Sequence, residues 1–349
     1  MNGAAALALG GVRDGRQSQG SPATTGGRAF WGQRGGDRSL KRVVSVSIGS
    51  SERDHVAEVE LMGERVRVER IGTDGDIDKA IALIRELDGQ VDAFGMGGID
   101  LYVWAGGRRY VLRDARRIAA AAQNTPIVDG SGLKNSLERR IIPFLEKELG
   151  LRWPEKRVLL VSAIDRFGMA EALAQSGCQL VIGDLMFVLG IPIPLRSLST
   201  FTAIARLLAP LAVQLPISVL YPTGSKQTKV EPKFTRWYQW ADVIAGDFHF
   251  IRRNMPDDLR GKTVITQTIT KADVAELKRR GVRLLVTATP ELNGRSFATN
   301  VIEALLIAVS GQRRELSASE YLGLIDRLEL KPRIEYLTDP VPDTVPASR

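Results

Sequence analysis

Residues 157–163 (RVLLVSA), 178–184 (CQLVIGD), 218–224 (SVLYPTG), 241–248 (ADVIAGDF), 262–268 (KTVITQT) and 283–290 (RLLVTATP) are six short apolar runs, each ending in small, polar or turn-forming residues. A strand covered on both faces of a sheet has no polar side to show, so its sequence is continuously apolar rather than alternating. Runs of this length separated by helical stretches predict a Rossmann-like, doubly wound parallel sheet over residues 153–312. In such sheets the ligand lies beyond the carboxyl ends of the strands, where following helices turn their amide-rich N-termini to one crevice. The chemistry is therefore sought in the polar endings.

Upstream, residues 41–152 predict a second α/β domain of more mixed strand direction. A strand at 42–48 precedes a hairpin (56–61 and 66–71), a helix with apolar residues at Ile77, Ala80, Ile81, Ile84 and Leu87, and a strand at 91–96. A second hairpin (101–104 and 110–112), a helix at 113–123, a strand at 126–129 and a long helix at 133–149 complete it. The boundary is expected at 150–155 (GLRWPE), where a glycine ends the helix and a proline prevents its continuation. Residues 1–40, rich in Gly, Ser, Gln and Arg, read as a disordered extension, and residues 313–349 as one helix, near 319–328, with a loose tail.

The composition is that of a soluble globular chain: 349 residues, 44% hydrophobic, 25% charged. The net charge of +8 is diffuse, and its Arg pairs lack the interleaved aromatics of a nucleic-acid surface. No apolar run is long enough for a bilayer, and the opening residues lack a basic n-region. A single cysteine, Cys178, allows no internal disulfide and has no metal-ligand spacing around it. These features point to a cytoplasmic protein with a small-molecule substrate, without a nucleic-acid or membrane partner or a metal, and with an oligomer left open.

At the end of the 157–163 run, the dinucleotide fingerprint G-x-G-x-x-G falls on Ala163, Asp165 and Gly168, so only the third glycine is met. Asp165 would set a carboxylate against a pyrophosphate unless a cation such as Arg166 neutralised it. Asp184 follows 21 residues after Ala163, where an acidic side chain takes ribose hydroxyls and favours NAD over NADP. Both aspartates are also ordinary turn and cap residues. Lys226, in the loop YPTGSK, and Arg295, before the last long helix, are cations placed to meet a carboxylate or phosphate. Thr287 and Thr289 (TATP), ahead of the last long helix, belong to a hydroxyl-bearing, anion-facing ligand wall. His249 lies two residues from Asp247, on the same face if the strand continues, and the pair could move a proton near neutral pH.

In the first domain, residues 128–135 (VDGSGLKN) set Asp129, Ser131 and Lys134 on a strand, glycine turn and helix start. A lysine and an aspartate at a cleft edge can serve as acid and base on an alcohol, with Lys134 lowered in pKa by its neighbours. Two further glycine-acid loops, 72–76 (GTDGD) and 95–100 (GMGGID), end strands in the same domain. Such loops on both domains imply a ligand held between them.

The stretches RVVSVSIGSSERDH (42–55), VDAFGMGGIDLY (91–102), TPIVDGSGLKNSLERR (125–140), AGDFHFIRR (245–253) and TATPELNGRSFATNVIEALL (287–306), with others between, resemble a bacterial family labelled quinate 5-dehydrogenase, over nearly all of residues 41–311. The wider shikimate and quinate dehydrogenase group has a substrate domain before a nicotinamide-binding Rossmann domain and oxidises a ring hydroxyl with a Lys and an Asp in the cleft. The resemblance implies an NAD(P)-dependent oxidoreductase; GTDG is similar to the group's N-T-D-G element and points to Asp74 as its aspartate. The group's N-V-T-x-P-x-K stretch is absent, so Lys134 is assigned by position alone. Two other readings stay open: a non-redox enzyme on a phosphorylated or nucleotide-linked compound, and a small-molecule-binding regulatory protein without cofactor.

Overall fold

The structure, a computed structural model, describes residues 40–216, 230–267, 269–289, 291–292 and 295–338. The first domain runs β1 (Lys41–Ser47), β2 (His55–Leu61), β3 (Glu64–Gly72), α1 (Ile77–Leu87), β4 (Ala93–Gly97), β5 (Tyr102–Ala105), β6 (Arg108–Val111), α2 (Arg113–Ala119) and β7 (Ile127–Val128). Its sheet has the order β2-β3-β1-β4-β7, with only β2 antiparallel. The β2–β3 hairpin closes through Met62 and Gly63, at φ 55° and 73°. Two successive positive φ values match the right-handed strand twist at a two-residue turn. Strand residues alternate between two apolar layers: Val43, Val66, Val68 and Ala93 enter one, and Val44, Val46, Phe94 and Met96 the other.

The chain then continues through α3 (Ser131–Leu149), β8 (Arg157–Leu160), α4 (Phe167–Gln175), β9 (Gln179–Ile182), α5 (Leu198–Ala212), α6 (Thr235–Trp240), β10 (Val243–Ala245), α7 (Phe248–Asn254), β11 (Thr263–Thr266), α8 (Lys271–Arg279) and β12 (Leu284–Thr287). The second sheet has the order β15-β12-β11-β10-β8-β9; five strands are parallel, and β15 (Arg333–Tyr336) adds an antiparallel edge. Both faces are covered: Val158, Leu160 and Ile182 pack on one side, Leu159, Val161 and Val181 on the other. The class is α/β, as the continuous apolar runs require. The run at 218–224 lies outside the described residues. β8 and β10 are neighbours although β9 lies between them in sequence, so the order reverses beside β8 and opens a crevice there.

One element departs from the expected division. After a short hairpin, β13 (Glu291–Leu292) and β14 (Arg295–Ser296), α9 (Thr299–Ser310) leaves the second sheet and packs beneath β1, β4 and β7 of the first. It is apolar on nearly all sides and buried along most of its length, so it needs cover from every direction, and the first sheet supplies it. The helix expected near 319–328 forms as α10 (Ala318–Arg327): a Ser317–Glu320 capping box starts it, Tyr321 is fully buried, and Arg140 of α3 reaches Asp326 at 2.7 Å. The first domain is thus closed by the C-terminal helices.

Gly130 sits where the first sheet hands over to α3. Its φ is +95°, and a Cβ there would lie 2.8 Å from the amide nitrogen of Asn300 at the start of α9. Gly130→Ala is therefore expected to lower stability by about 2–4 kcal/mol, from left-handed strain plus a backbone clash. Gly107→Ala, at φ +78° with nothing within 4 Å, carries only the strain, about 1 kcal/mol. Urea denaturation of both variants checks the difference; equal losses would contradict the close approach of α9.

Candidate functional site

The carboxyl ends of both sheets face a single cleft of about 680 Å³. From the first domain it receives the β1, β3 and β4 loops with Ser47, Arg70, Asp74 and Asp100, and Lys134 from the first turn of α3. From the second come Asp165 and Arg166 after β8, Asp247 and His249 after β10, and Gln267 after β11. Asn300, at the start of α9, also lines the cleft and donates from Nδ2 to Ser45 Oγ at 2.8 Å.

Lys134 is where the sequence places it, in the cleft, but its partner is different. Nζ lies 2.5 Å from Asp100 Oδ1, and both side chains are 14% exposed. Asp74 stands at the cleft margin in a left-handed conformation (φ 55°), and its Oδ1 accepts from the amide of Ser51 at 2.8 Å. Asp129 lies beneath the pair, fully engaged: it accepts from the amides of Leu101 (2.5 Å) and Ser131 (3.0 Å) and from Ser131 Oγ (2.5 Å). Ser131 is thereby spent on Asp129 and does not line the cleft. Burial, the largest single influence, acts to depress Lys134, but the charges of Asp100 and Asp129 together with the Asp100 hydrogen bond outweigh it, and the ammonium is held above its ordinary range rather than below. Burial, with the charge of Asp100, raises Asp129. Lys134 is therefore a cation and donor at neutral pH, not a base.

Behind the cleft floor runs a network of which the sequence reading named Asp165, Arg166 and Asp247 but not Glu138 or Gln267. Arg166, 3% exposed, donates from Nη1 to Glu138 Oε1 of α3 (2.8 Å) and from Nη2 to Asp247 Oδ2 (2.9 Å), while Nε lies 3.4 Å from Asp165 Oδ2. Gln267 donates to the same Glu138 oxygen and accepts from Thr299 Oγ1 at 2.8 Å. The network ties α3, the β8–α4 turn, the ends of β10 and β11, and α9 together. The adjacency of Asp165 and Arg166 was its one visible sign. Burial lifts Asp165 to about 6 despite Arg166.

The dinucleotide positions are placed differently from their expected roles. Asp184 is buried; its Oδ2 accepts from the amide of Ala163 (2.8 Å) and its Oδ1 from that of Ile164 (3.0 Å). Both amides belong to the turn between β8 and α4, ahead of the helix start at Phe167, and the Asp184 carboxylate is turned onto them. Burial pushes it up to about 7. Asp165 accepts from Ser162 Oγ at 2.5 Å. Gly168 keeps the packing role of a third fingerprint glycine, though toward a helix: a Cβ there would lie 2.9 Å from the Asn135 carbonyl oxygen of α3. Thr287 and Thr289 are fully buried; their hydroxyls donate to the carbonyls of Thr289 (3.1 Å) and Gln267 (3.0 Å) rather than to the cleft.

His249 lines the cleft but begins α7 rather than ending a strand. Asp247 caps that helix by accepting from the His249 amide at 2.8 Å, so the pair meets through backbone instead of ring. Burial opposes ionisation of Asp247, but His249 and Arg166 outweigh it and hold the carboxylate below its ordinary range. Lys226 and the side chain of Arg295 lie outside the described residues. Among the described residues no group of three or more His, Cys, Asp or Glu could hold a metal ion, and no helix is long and apolar enough to cross a membrane.

Two family descriptions match the chain: Domain of unknown function (DUF8753) over residues 42–129 and Domain of unknown function (DUF8754) over residues 132–337. The chain belongs to the DUF8754 family. The two matches meet at Gly130 and Ser131, where α3 begins; Leu133 and Leu137 of α3 pack in the core of the first sheet and Ile141, Ile142 and Leu145 in that of the second. No curated protein sequence matches the chain. Among solved structures it is similar to the Entamoeba histolytica malic enzyme (TM-score 0.39, 11% identity, 81% of this chain and 61% of that one). It is also similar to GanP, a glucose-galactose binding protein from Geobacillus stearothermophilus (0.34, 8%, 86% and 99%), and to an NAD-dependent malic enzyme from Thermotoga maritima (0.34, 13%, 83% and 84%). The chain spans about three-fifths of the length of the Entamoeba enzyme.

Replacing Arg166 by Met leaves Glu138, Asp165 and Asp247 without their common cation, and a loss of about 3–5 kcal/mol in urea denaturation is expected. A loss below 1 kcal/mol would show the network to be dispensable. A second expectation concerns Glu303 of α9, fully buried, which burial and then the Asp129 charge push up to about 8. Between its unfolded value near 4.5 and about 8 the folded chain holds the extra proton, so stability falls as pH rises through that window. Asp165 and Asp184 add slopes of the same sign up to about 7. Glu303→Gln should therefore flatten stability most clearly between pH 7 and 8, measured by urea denaturation; an unchanged slope would refute it.

Proposed function

We propose that the protein is an enzyme acting on a hydroxyl group of a small, polar, acid-bearing compound held between its two domains. The observation that carries this reading is the Lys134–Asp100 pair, 2.5 Å apart and only slightly exposed, at the meeting point of the two strand-end faces. Because Lys134 stays cationic, it steadies negative charge growing on the substrate oxygen, while Asp100 takes the hydroxyl proton. Arg53 and Arg253 also line the cleft, and neither makes an ion pair among the described residues. They are suited to an acid group on the substrate.

The redox form of this reading, an oxidoreductase on CH–OH, matches the sequence resemblance and makes ring hydroxy acids such as quinate and shikimate the first compounds to try. It requires a nicotinamide as hydride acceptor, and the residues present do not fit the ordinary seat for one. Asp184 already takes the Ala163 and Ile164 amides, and the Thr287 and Thr289 hydroxyls point inward. The reason for preferring NAD over NADP goes with it. The occupied seat favours a second reading, in which the same pair serves a reaction without dinucleotide, such as elimination of water or isomerisation.

Lys134→Met is expected to lower turnover of the true substrate at least ~100-fold with the fold retained. A hydroxy-acid screen followed by kinetics and circular dichroism checks this, and undiminished activity would remove Lys134 from the mechanism. Calorimetric titration with NADH and NADPH separates the two forms: binding tighter than about millimolar supports the redox form, and no heat from either supports the second.

A further inference from the structure

The polar cleft has a neighbour of opposite character. Asp165 and Phe250 line the cleft and also line a second cavity, of about 160 Å³, whose wall is otherwise carbon almost throughout. Leu195, Phe201, Ala205 and Ala209 form its buried side, and Val103 of the first domain closes another. Its lip is open: Leu189 is 54% and Leu208 41% exposed. Ala205 and Ala209 lie one turn apart on α5, so their shortness leaves the space that a leucine at either position would fill.

An apolar cavity of about 150 Å³ takes up a benzene-sized molecule and does not hold water well. The two carboxylates in its wall do not call for a cation, because Asp184 accepts from two backbone amides and Asp165 from Ser162 beside Arg166. Exposed leucines at the mouth of such a cavity mark a binding surface more often than a bare one. The occupant is set by the shared wall: a group entering here is attached to, or lies against, whatever fills the cleft on the other side of Asp165 and Phe250.

We infer that this cavity is a second compartment of the ligand site and holds a ring-sized apolar group of the compound whose polar end meets Lys134 and Asp100. The polar half of that statement rests on the function proposed above; the apolar half stands on the cavity alone.

The test uses the full chain and three probes: indole for the apolar compartment, and lactate against phenyllactate for a polar end without and with a ring. Indole is expected to bind by ligand-observed NMR, and phenyllactate at least tenfold tighter than lactate. Ala209→Leu should abolish indole binding and the tenfold gain while leaving lactate unchanged. Leu208→Asp, at the exposed lip, should weaken indole without disturbing the fold, so the test survives if Ala209→Leu does not fold. Failure of indole to bind, or binding that neither variant alters, overturns the compartment. Equal affinities for lactate and phenyllactate overturn the link between the compartments. A dimer in sedimentation that Leu208→Asp dissociates, with no indole bound, assigns the face to a second copy and overturns the proposal. If indole behaves as expected but Lys134→Met leaves phenyllactate affinity unchanged, only the polar-end reading falls.

Discussion

A guanidinium buried to 3% exposure governs how this molecule is assembled. Left unpaired, Arg166 would cost several kcal/mol, so its position compels carboxylates to gather around it, and it draws them from three separate elements. Glu138 comes from α3, Asp247 from the end of β10 and Asp165 from its own turn. Each is fixed again by a further bond: Asp247 caps α7, Asp165 accepts from Ser162, and Glu138 accepts from Gln267, which reaches Thr299 of α9. Since α9 packs under the first sheet, the chain of contacts crosses from one domain to the other. The cleft is thus walled by groups whose positions are fixed before any ligand arrives, which is what catalysis by orientation requires.

The same burial explains why the second domain has a Rossmann-like frame without the ordinary phosphate seat. In that frame the turn after the first parallel strand offers free amides to an anion. Here the amides of Ala163 and Ile164 are filled by Asp184, a carboxylate from the end of the neighbouring strand. An internal anion satisfies these turn donors without an outside ligand. The fold needs the amides satisfied; it does not need a dinucleotide to satisfy them.

What was legible in the sequence follows from which forces act locally. Residues 157–163 and 283–290 show their burial directly, because a strand covered on both faces leaves no polar positions, and their α/β reading stands. The 56–61 and 66–71 hairpin was equally plain from alternation around Met62 and Gly63. Lys134 could be placed in the cleft because a glycine turn between a strand and a helix puts the first helical turn at the sheet edge. Its partner could not: Asp100 and Asp74 both follow glycines at strand ends, and only the register of β4 against β7 brings Asp100 beside α3. The return of α9 to the first sheet was hidden for a similar reason. Its all-round apolar sequence demands cover but does not say whose. Asp184 was open between a ribose contact and a turn role, because spacing alone cannot tell whether a strand-ending carboxylate turns to a ligand or to its neighbour's amides.

The arrangement divides labour between the domains. The first domain supplies a close cation and carboxylate pair that lines the cleft, Lys134 with Asp100. The second supplies a wall in which Arg166 is matched by carboxylates and burial raises Asp165 to about 6. Protonating the carboxylates around Arg166 would break bonds that hold the domains together, whereas the Lys134–Asp100 pair stands at the cleft surface, outside that network. The cost of burying charge is borne by Arg166 and its partners, where tight hydrogen bonding offsets it. The slightly exposed pair at Lys134 and the buried network at Arg166 are in this sense two uses of the same strand-end faces.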